Sequence, residues 1–308
     1  MEPLRAALSG RHPLVAVVTA PPARAGRGRA SLPNFVADEA RARGLPVLQP
    51  ESARAPEFLD ALEALRPDLA VVVSYGQILT RRFLDAPRLG CINLHGSLLP
   101  RWRGASPVQA AILAGDAHTG VCIQRVVEEL DAGAVLAERS TVLGATEDAP
   151  ALFARLATLG AELLLEFLNG LEPALDVLPA GREQDNALVT QCRKVRKEHG
   201  ILDWNAPAPQ VARQVRAYAG WPVASTRLPD GAVLRILSGS AGEFPAPHAT
   251  PGTVLAADEE LWIACATGAY RPEVVQREGR ARLTTREFLR GTHLEPGARL
   301  GGYPDPLA

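Results

Sequence analysis

The chain has 308 residues, of which 47% are hydrophobic and 22% charged, and its formal net charge is −1. This is enough for one large or two moderate globular domains, and it excludes a global basic field, so any contact with nucleic acid must rest on local patches. The four cysteines are scattered with no C-x-x-C pair, which speaks against a metal site or a disulfide framework and for a reducing, cytoplasmic setting; no apolar run is of transmembrane length, and "MEPLRAALSGRHP" lacks the apolar centre of a signal peptide.

Along the chain, "PLVAVVTA" (13–20) predicts a buried strand, and "PARAGRGRAS" (22–31) a Gly/Arg loop. "NFVADEARARG" predicts a helix capped by Asn34 and stopped by Gly44. A strand at "LPVLQP" and a helix at "PEFLDALEALRP" follow, then buried strands at "DLAVVVS" (68–74) and "GCINLH" (90–95). "PVQAAILAG" predicts a helix with Pro107 at its start and Gly115 past its end. Two more strands, "GVCIQRVV" and "AVLAERSTV", flank Asp131, and residues 151–170 form a long amphipathic helix. Strands alternating with helices make this half an α/β domain, a mostly parallel sheet with helices on its faces. After Gly170 the sequence turns mixed and polar. Beyond that linker come one helix (209–217) and short apolar runs punctuated by Gly, Pro and Asp, the pattern of a small OB-like β-barrel. The expected domains are 1–175, a linker over 176–197, and 198–308.

The stretch "INLHGSLLPRWRGASP" (92–107) carries the chemistry. In a strand, alternate side chains share a face, so Asn93 and His95 point the same way at the strand's C-terminal end, where open α/β sheets bind ligands. Asp131, in a turn between two strands, is the carboxylate that a sheet loop can bring beside them. An amide donor and an imidazole stabilise an oxyanion forming at a carbonyl, and a carboxylate accepts a proton from an attacking amine. This is a set for acyl transfer without a covalent enzyme intermediate, and no G-x-S-x-G or catalytic-cysteine signature competes. Cys91, on the same strand, reads as a buried small hydrophobe.

"GCINLHGSLLPRWRGASPVQAAILAGD" and "TGVCIQRVVEELDAGAVL" resemble the formyltransferase family that uses 10-formyltetrahydrofolate. The resemblance extends to "AGRGR", "GLPVLQPE", "PDLAVVVSYGQIL", "KVRKEHGILDW", "RAYAGWP" and "PGTVL", so it spans nearly the whole chain. It implies a Rossmann-like catalytic domain and a formyl group passed to the amine of methionine on initiator tRNA, for translation initiation. It implies that Asn93 and His95 stabilise the oxyanion, and that Asp131 holds His95 and helps remove the amine proton. Ser97, Leu98, Leu99 and Pro100 match the family's folate-contacting segment. Arg24, Arg27 and Arg29 match the loop that meets the tRNA acceptor stem. Lys194 and Lys197, the chain's only lysines, lie in a linker that touches tRNA in the family. A monomer with folate as co-substrate, no metal and no membrane partner is expected.

Two features depart from the family pattern. The chain begins inside what is the first helix in the family, so the resemblance implies a strand ahead of Met1, in the sheet interior beside "PLVAVVTA". Glu129 stands where the family has Gly before "LDTG", and Ala132 replaces a hydroxyl residue; both put the turn geometry or the folate site in question. Formylation of a sugar-nucleotide amine is one rival, against which the basic loop, the lysines and the C-terminal module argue. A folate deformylase and a catalytically impaired tRNA-binding protein are the others.

Overall fold

A computed structural model describes residues 1–22, 34–172, 174–245 and 249–301. In chain order the elements are α1 (Glu2–Ser9), β1 (Val17–Val18), α2 (Phe35–Ala42), β2 (Val47–Leu48), α3 (Pro56–Ala64), β3 (Ala70–Val72), α4 (Arg81–Asp85), β4 (Cys91–His95), β5 (Arg103–Gly104) and α5 (Pro107–Ala114). Then follow β6 (His118–Arg125), β7 (Val135–Val142), α6 (Ala149–Gly170), β8 (Gln191–Cys192), α7 (Ala208–Ala217), β9 (Ala224–Arg227), β10 (Val233–Gly242), β11 (Val254–Ala257), β12 (Leu261–Ala264), β13 (Ala269–Arg277), β14 (Arg282–Thr284) and α8 (Thr285–Gly291). The helix punctuation expected from sequence is in place. Asn34 accepts a hydrogen bond from the Ala37 amide at 3.0 Å, Pro56 and Pro107 open α3 and α5, and Gly115 ends α5 with φ of +72°.

The chain divides into two compact units: residues 1–104, 118–142 and 154–192 in one, and 105–117, 143–153 and 193–308 in the other. In the first, β1 and β2 pair in parallel, and a second sheet runs β3-β4-β6-β7. There β3 and β4 are parallel, while β4–β6 and β6–β7 are antiparallel. Among the described residues β3 pairs only with β4, and Val71 and Val73 on and after it are 37% and 38% exposed. Phe58, Leu59 and Leu62 of α3, Phe83 and Leu84 of α4 and Cys91 of β4 form one apolar core, against which Val18 of β1 and Leu48 of β2 also pack. On the opposite face of β4, Ile92 is fully buried and Leu94 meets Gly160 of α6. Both faces of β4 are thus covered up to its C-terminal end.

The second unit is built on antiparallel strands in the order β11-β12-β13-β10-β9, with β14 beside β13. The segment 297–301 closes it. Gly297 and Leu300 bond to Val254 and Gly252 at the β11 edge, and Gly301 exchanges two backbone bonds with Arg227 at the β9 edge. Both edges of the sheet are thereby satisfied, which is how a small barrel removes them. Val211 and Val215 of α7 pack on Leu234, Ile236, Tyr270 and Val275 in its core.

Candidate active site

The alternation of β4 does what its sequence implies. Cys91 faces the α3–α4 core, and Asn93 and His95 follow on the same face where that cover ends. Asp131 sits in the loop from β6 to β7, with φ of +53°. Aspartate is among the few non-glycine residues that adopt this left-handed conformation at modest cost, and the loop returns its side chain to β4. Asp131 Oδ1 lies 3.7 Å from His95 Nδ1 and 3.4 Å from Asn93 Nδ2. His95 is 6% exposed and the Asp131 side chain 11%. The three residues picked out from sequence therefore meet in one place.

The His95 ring is held from its far side as well, with Nε2 3.0 Å from the main-chain oxygen of Trp102. A carbonyl only accepts, so Nε2 carries a hydrogen and donates it. Nδ1 is the nitrogen turned toward Asn93 and Asp131. Trp102, with φ of +64°, is fixed by its amide, which donates to Thr190 Oγ1 at 2.9 Å, and the next amide, of Arg103, donates to Thr190 O. The basic aromatic loop after β4 is thus clamped to the segment entering β8.

Three side chains at this site went unnoticed in the sequence. Gln124 Nε2 donates to Asp131 Oδ1 at 2.8 Å. Gln184 Nε2 donates to the carbonyls of Asp131 and Gly133 at 2.8 and 2.7 Å. Arg103, 5% exposed, donates through Nε to Gln184 Oε1 at 2.9 Å and pairs with Glu129 at 3.2 Å. A polar residue inside the apolar run "VCIQR" was a readable signal for Gln124; nothing local marks Gln184. The Gly104 amide completes the set, donating to Asp131 Oδ2 at 2.8 Å. Gly104 has φ of +119°, and a Cβ there would fall 2.2 Å from Cys192 O, so only glycine brings this amide to the carboxylate.

Glu129 has no positive φ; the left-handed residue of the turn is Asp131 itself. The turn therefore does not require glycine at 129, and the glutamate is used instead to neutralise the buried Arg103. Ala132 closes the turn with its amide on Glu129 O at 3.3 Å. Of the four residues matched to the folate segment, Ser97 and Leu99 face inward. Ser97 Oγ donates to Arg101 O at 2.6 Å, and Leu99 packs with Cys122 and Val135. Leu98 and Pro100 are half-buried. Lys194 and Lys197 are exposed, on the unit that holds the barrel. Arg24, Arg27 and Arg29 lie outside the described residues.

Cys91 and Cys122, on the two central strands, are buried thiols, and burial pushes the pKa of each up to about 12.

Residues 3–168 match the family described as formyl transferase, and residues 194–293 match the formyl transferase C-terminal domain. Methionyl-tRNA formyltransferase of Methylococcus capsulatus is 48% identical over 298 residues, covering 97% of this chain and 95% of that protein. The protein of the same name from Xanthomonas campestris is 45% identical over 297 residues, covering 96% and 95%. Among solved structures, HypX from Aquifex aeolicus in complex with tetrahydrofolic acid superposes with a TM-score of 0.54 at 21% identity, over 82% of this chain and 43% of that one, a likeness of fold. With a family match across both halves and relatives this similar over nearly its full length, the chain belongs to the formyl transferase family.

Proposed function

We propose that this chain transfers the formyl group of 10-formyltetrahydrofolate to the amino group of methionine on initiator tRNA, for translation initiation. What carries the reading is the meeting of Asn93, His95 and Asp131 in a chain whose relatives of that name align with it almost end to end. The folate supplies a formyl carbon on N10, and the reaction exchanges its C–N10 bond for a bond to the methionine nitrogen, which loses a proton while N10 gains one.

The residues divide the work by what each atom can do. The Asn93 amide has two hydrogens; one faces Asp131, and the second is available to the formyl oxygen as negative charge develops there. His95 donates Nε2–H to Trp102 O, which fixes the ring and leaves Nδ1 as the working nitrogen. When protonated, Nδ1 adds a second donor on the side where Asn93 and Asp131 converge. Asp131 balances that charge and takes the amine proton, directly or through water. Half-buried Leu98 and Pro100, with Leu130 left 70% exposed next to Asp131, offer apolar surface suited to the flat ring of a folate.

In this reading residues 1–175 are the catalytic domain, 176–197 the linker and 198–308 the tRNA-binding domain. Arg24, Arg27, Arg29, Lys194 and Lys197 contact tRNA phosphates, and the protein works as a monomer in the cytoplasm. Among the described residues no helix is long and apolar enough to cross a membrane. Incubation with 10-formyltetrahydrofolate and methionine-charged initiator tRNA should yield formylmethionine; formyl loss to water without acylated amine would convert the reading to a deformylase.

A further inference from the structure

Resting on the transferase reading above, we propose that Gln124 is a positioning residue for Asp131, holding its carboxylate in the orientation the reaction needs. The antiparallel register of β4 and β6 sets Gln124 directly opposite Asn93. Residues opposite one another on neighbouring strands share a face, so β6 presents an amide to the same space as β4 presents Asn93 and His95. Three groups face Asp131 Oδ1: Gln124 Nε2 at 2.8 Å, Asn93 Nδ2 at 3.4 Å and His95 Nδ1 at 3.7 Å. The shortest contact is made by Gln124 and not by either partner in the chemistry.

The other oxygen, Oδ2, is held by the Gly104 amide at 2.8 Å. One short bond on each oxygen fixes the carboxylate plane. An ionised carboxylate only accepts, so Gln124 must present its nitrogen. Its oxygen is then turned toward Gln184, 3.5 Å from Nε2. Gln124 is 1% exposed, between the buried Ile123 and half-buried Arg125 of β6. An amide neither gives up nor takes a proton near neutral pH, so it steadies the base without competing with it. Without this N–H, Oδ1 keeps only the longer contacts with Asn93 and His95, at 3.4 and 3.7 Å, and the carboxylate, pinned tightly at Oδ2 by Gly104 alone, turns about its Cβ–Cγ bond and carries Oδ1 away from them.

The test is a double-mutant cycle with a structural arm. Gln124→Met keeps the length of the side chain and removes the donor. It should lower kcat about 10- to 100-fold, the scale of a small misplacement of a reacting group, with both KM values within about threefold. In an Asp131→Asn background it should cost little more, because its effect runs through that carboxylate. An equal loss in both backgrounds would mark Gln124 as an ordinary core residue and overturn the proposal. Gln124→Glu sets a second carboxyl beside Asp131, and such a pair shares a proton. Its activity should rise as pH falls from 8 to 6, since the protonated carboxyl donates where the amide did; a profile parallel to wild type would count against positioning. A crystal structure of Gln124→Met decides independently of any assay: Asp131 Oδ1 should leave the side of His95, and an unmoved carboxylate overturns the proposal. A wild-type chain that transfers no formyl group refutes the functional reading alone, and the crystal structure still decides this one.

Discussion

Gln184 Nε2 lies 2.8 Å from the main-chain oxygen of Asp131, from a residue 53 positions further along the chain. The same amide serves Gly133 O, and its oxygen accepts from Arg103, so one side chain ties the left-handed turn to the loop after β4. Gln184→Leu leaves two buried carbonyls and a buried guanidinium nitrogen without this partner. Each such loss costs on the order of 1–3 kcal/mol. The expected result is a Tm lowered by several degrees together with a lower kcat, read by calorimetry and by steady-state assay. An unchanged Tm would mean the turn holds itself.

Asp131→Asn tests the carboxylate. Asp131 accepts from Gln124 on one oxygen and from the Gly104 amide on the other, both at 2.8 Å. An asparagine can accept on only one of the two, and its own NH2 must then face a donor. The variant should therefore lose stability, by about 1–3 kcal/mol, as well as turnover. The loss of a proton acceptor is worth about 10²- to 10⁴-fold in kcat, with the affinity for tRNA kept. Activity near wild type would remove Asp131 from the mechanism.

How much of this was readable in advance follows from the range of each interaction. Asn93 and His95 sit two apart on one strand, and the period of a strand alone sets them on one face. Asp131 was readable as a turn residue between two strands that pair as a hairpin, here β6 and β7. Gln124 is marked only as a polar residue in an apolar run; its place opposite Asn93 depends on the register between β4 and β6, which no local pattern fixes. Gln184 is remoter still and carries no periodic signal. The helix α4, at five residues, is too short for periodicity, whereas the sequence does mark the start of α8 by a capping box, Thr284 with Glu287. In the SLLP segment nothing in the local pattern says that Ser97 and Leu99 turn inward while Leu98 and Pro100 stay half-buried. The closing segment of the barrel escaped notice because residues 297–301 join the sheet through isolated bridges and not as a strand.

The tRNA contacts proposed for the basic residues predict a split in kinetic constants. Arg27→Ala should raise the KM for charged tRNA more than the KM for formylfolate, and it should flatten the dependence of tRNA binding on salt by about one phosphate contact. Lys194→Ala and Lys197→Ala should act in the same direction, both side chains being exposed. A larger effect on the folate KM would move these residues off the tRNA.

The buried thiols predict a loss of stability in alkali. Burial raises Cys91, Cys122 and Cys265 from an ordinary 9.0 to about 12. The sign follows from proton counting. Between pH 9 and 12 the unfolded chain gives up thiol protons that the folded chain keeps, so stability falls as pH rises through this window and is unaffected by these groups below about pH 8. Each thiol steepens the decline by at most about 1.4 kcal/mol per pH unit. Burial raises Tyr75, Tyr218 and Tyr270 as well, which extends the fall to higher pH. Tm measured from pH 7 to 10.5 should be flat at first and then drop, and Cys122→Ala should soften the drop. The same burial orders the thiols by reactivity. In native protein at pH 8, iodoacetamide should modify Cys192, the one cysteine that is not buried, well before the other three. Rapid labelling of Cys91 or Cys122, located by peptide mass spectrometry, would show that the strands around the candidate active site open far more readily than their packing implies.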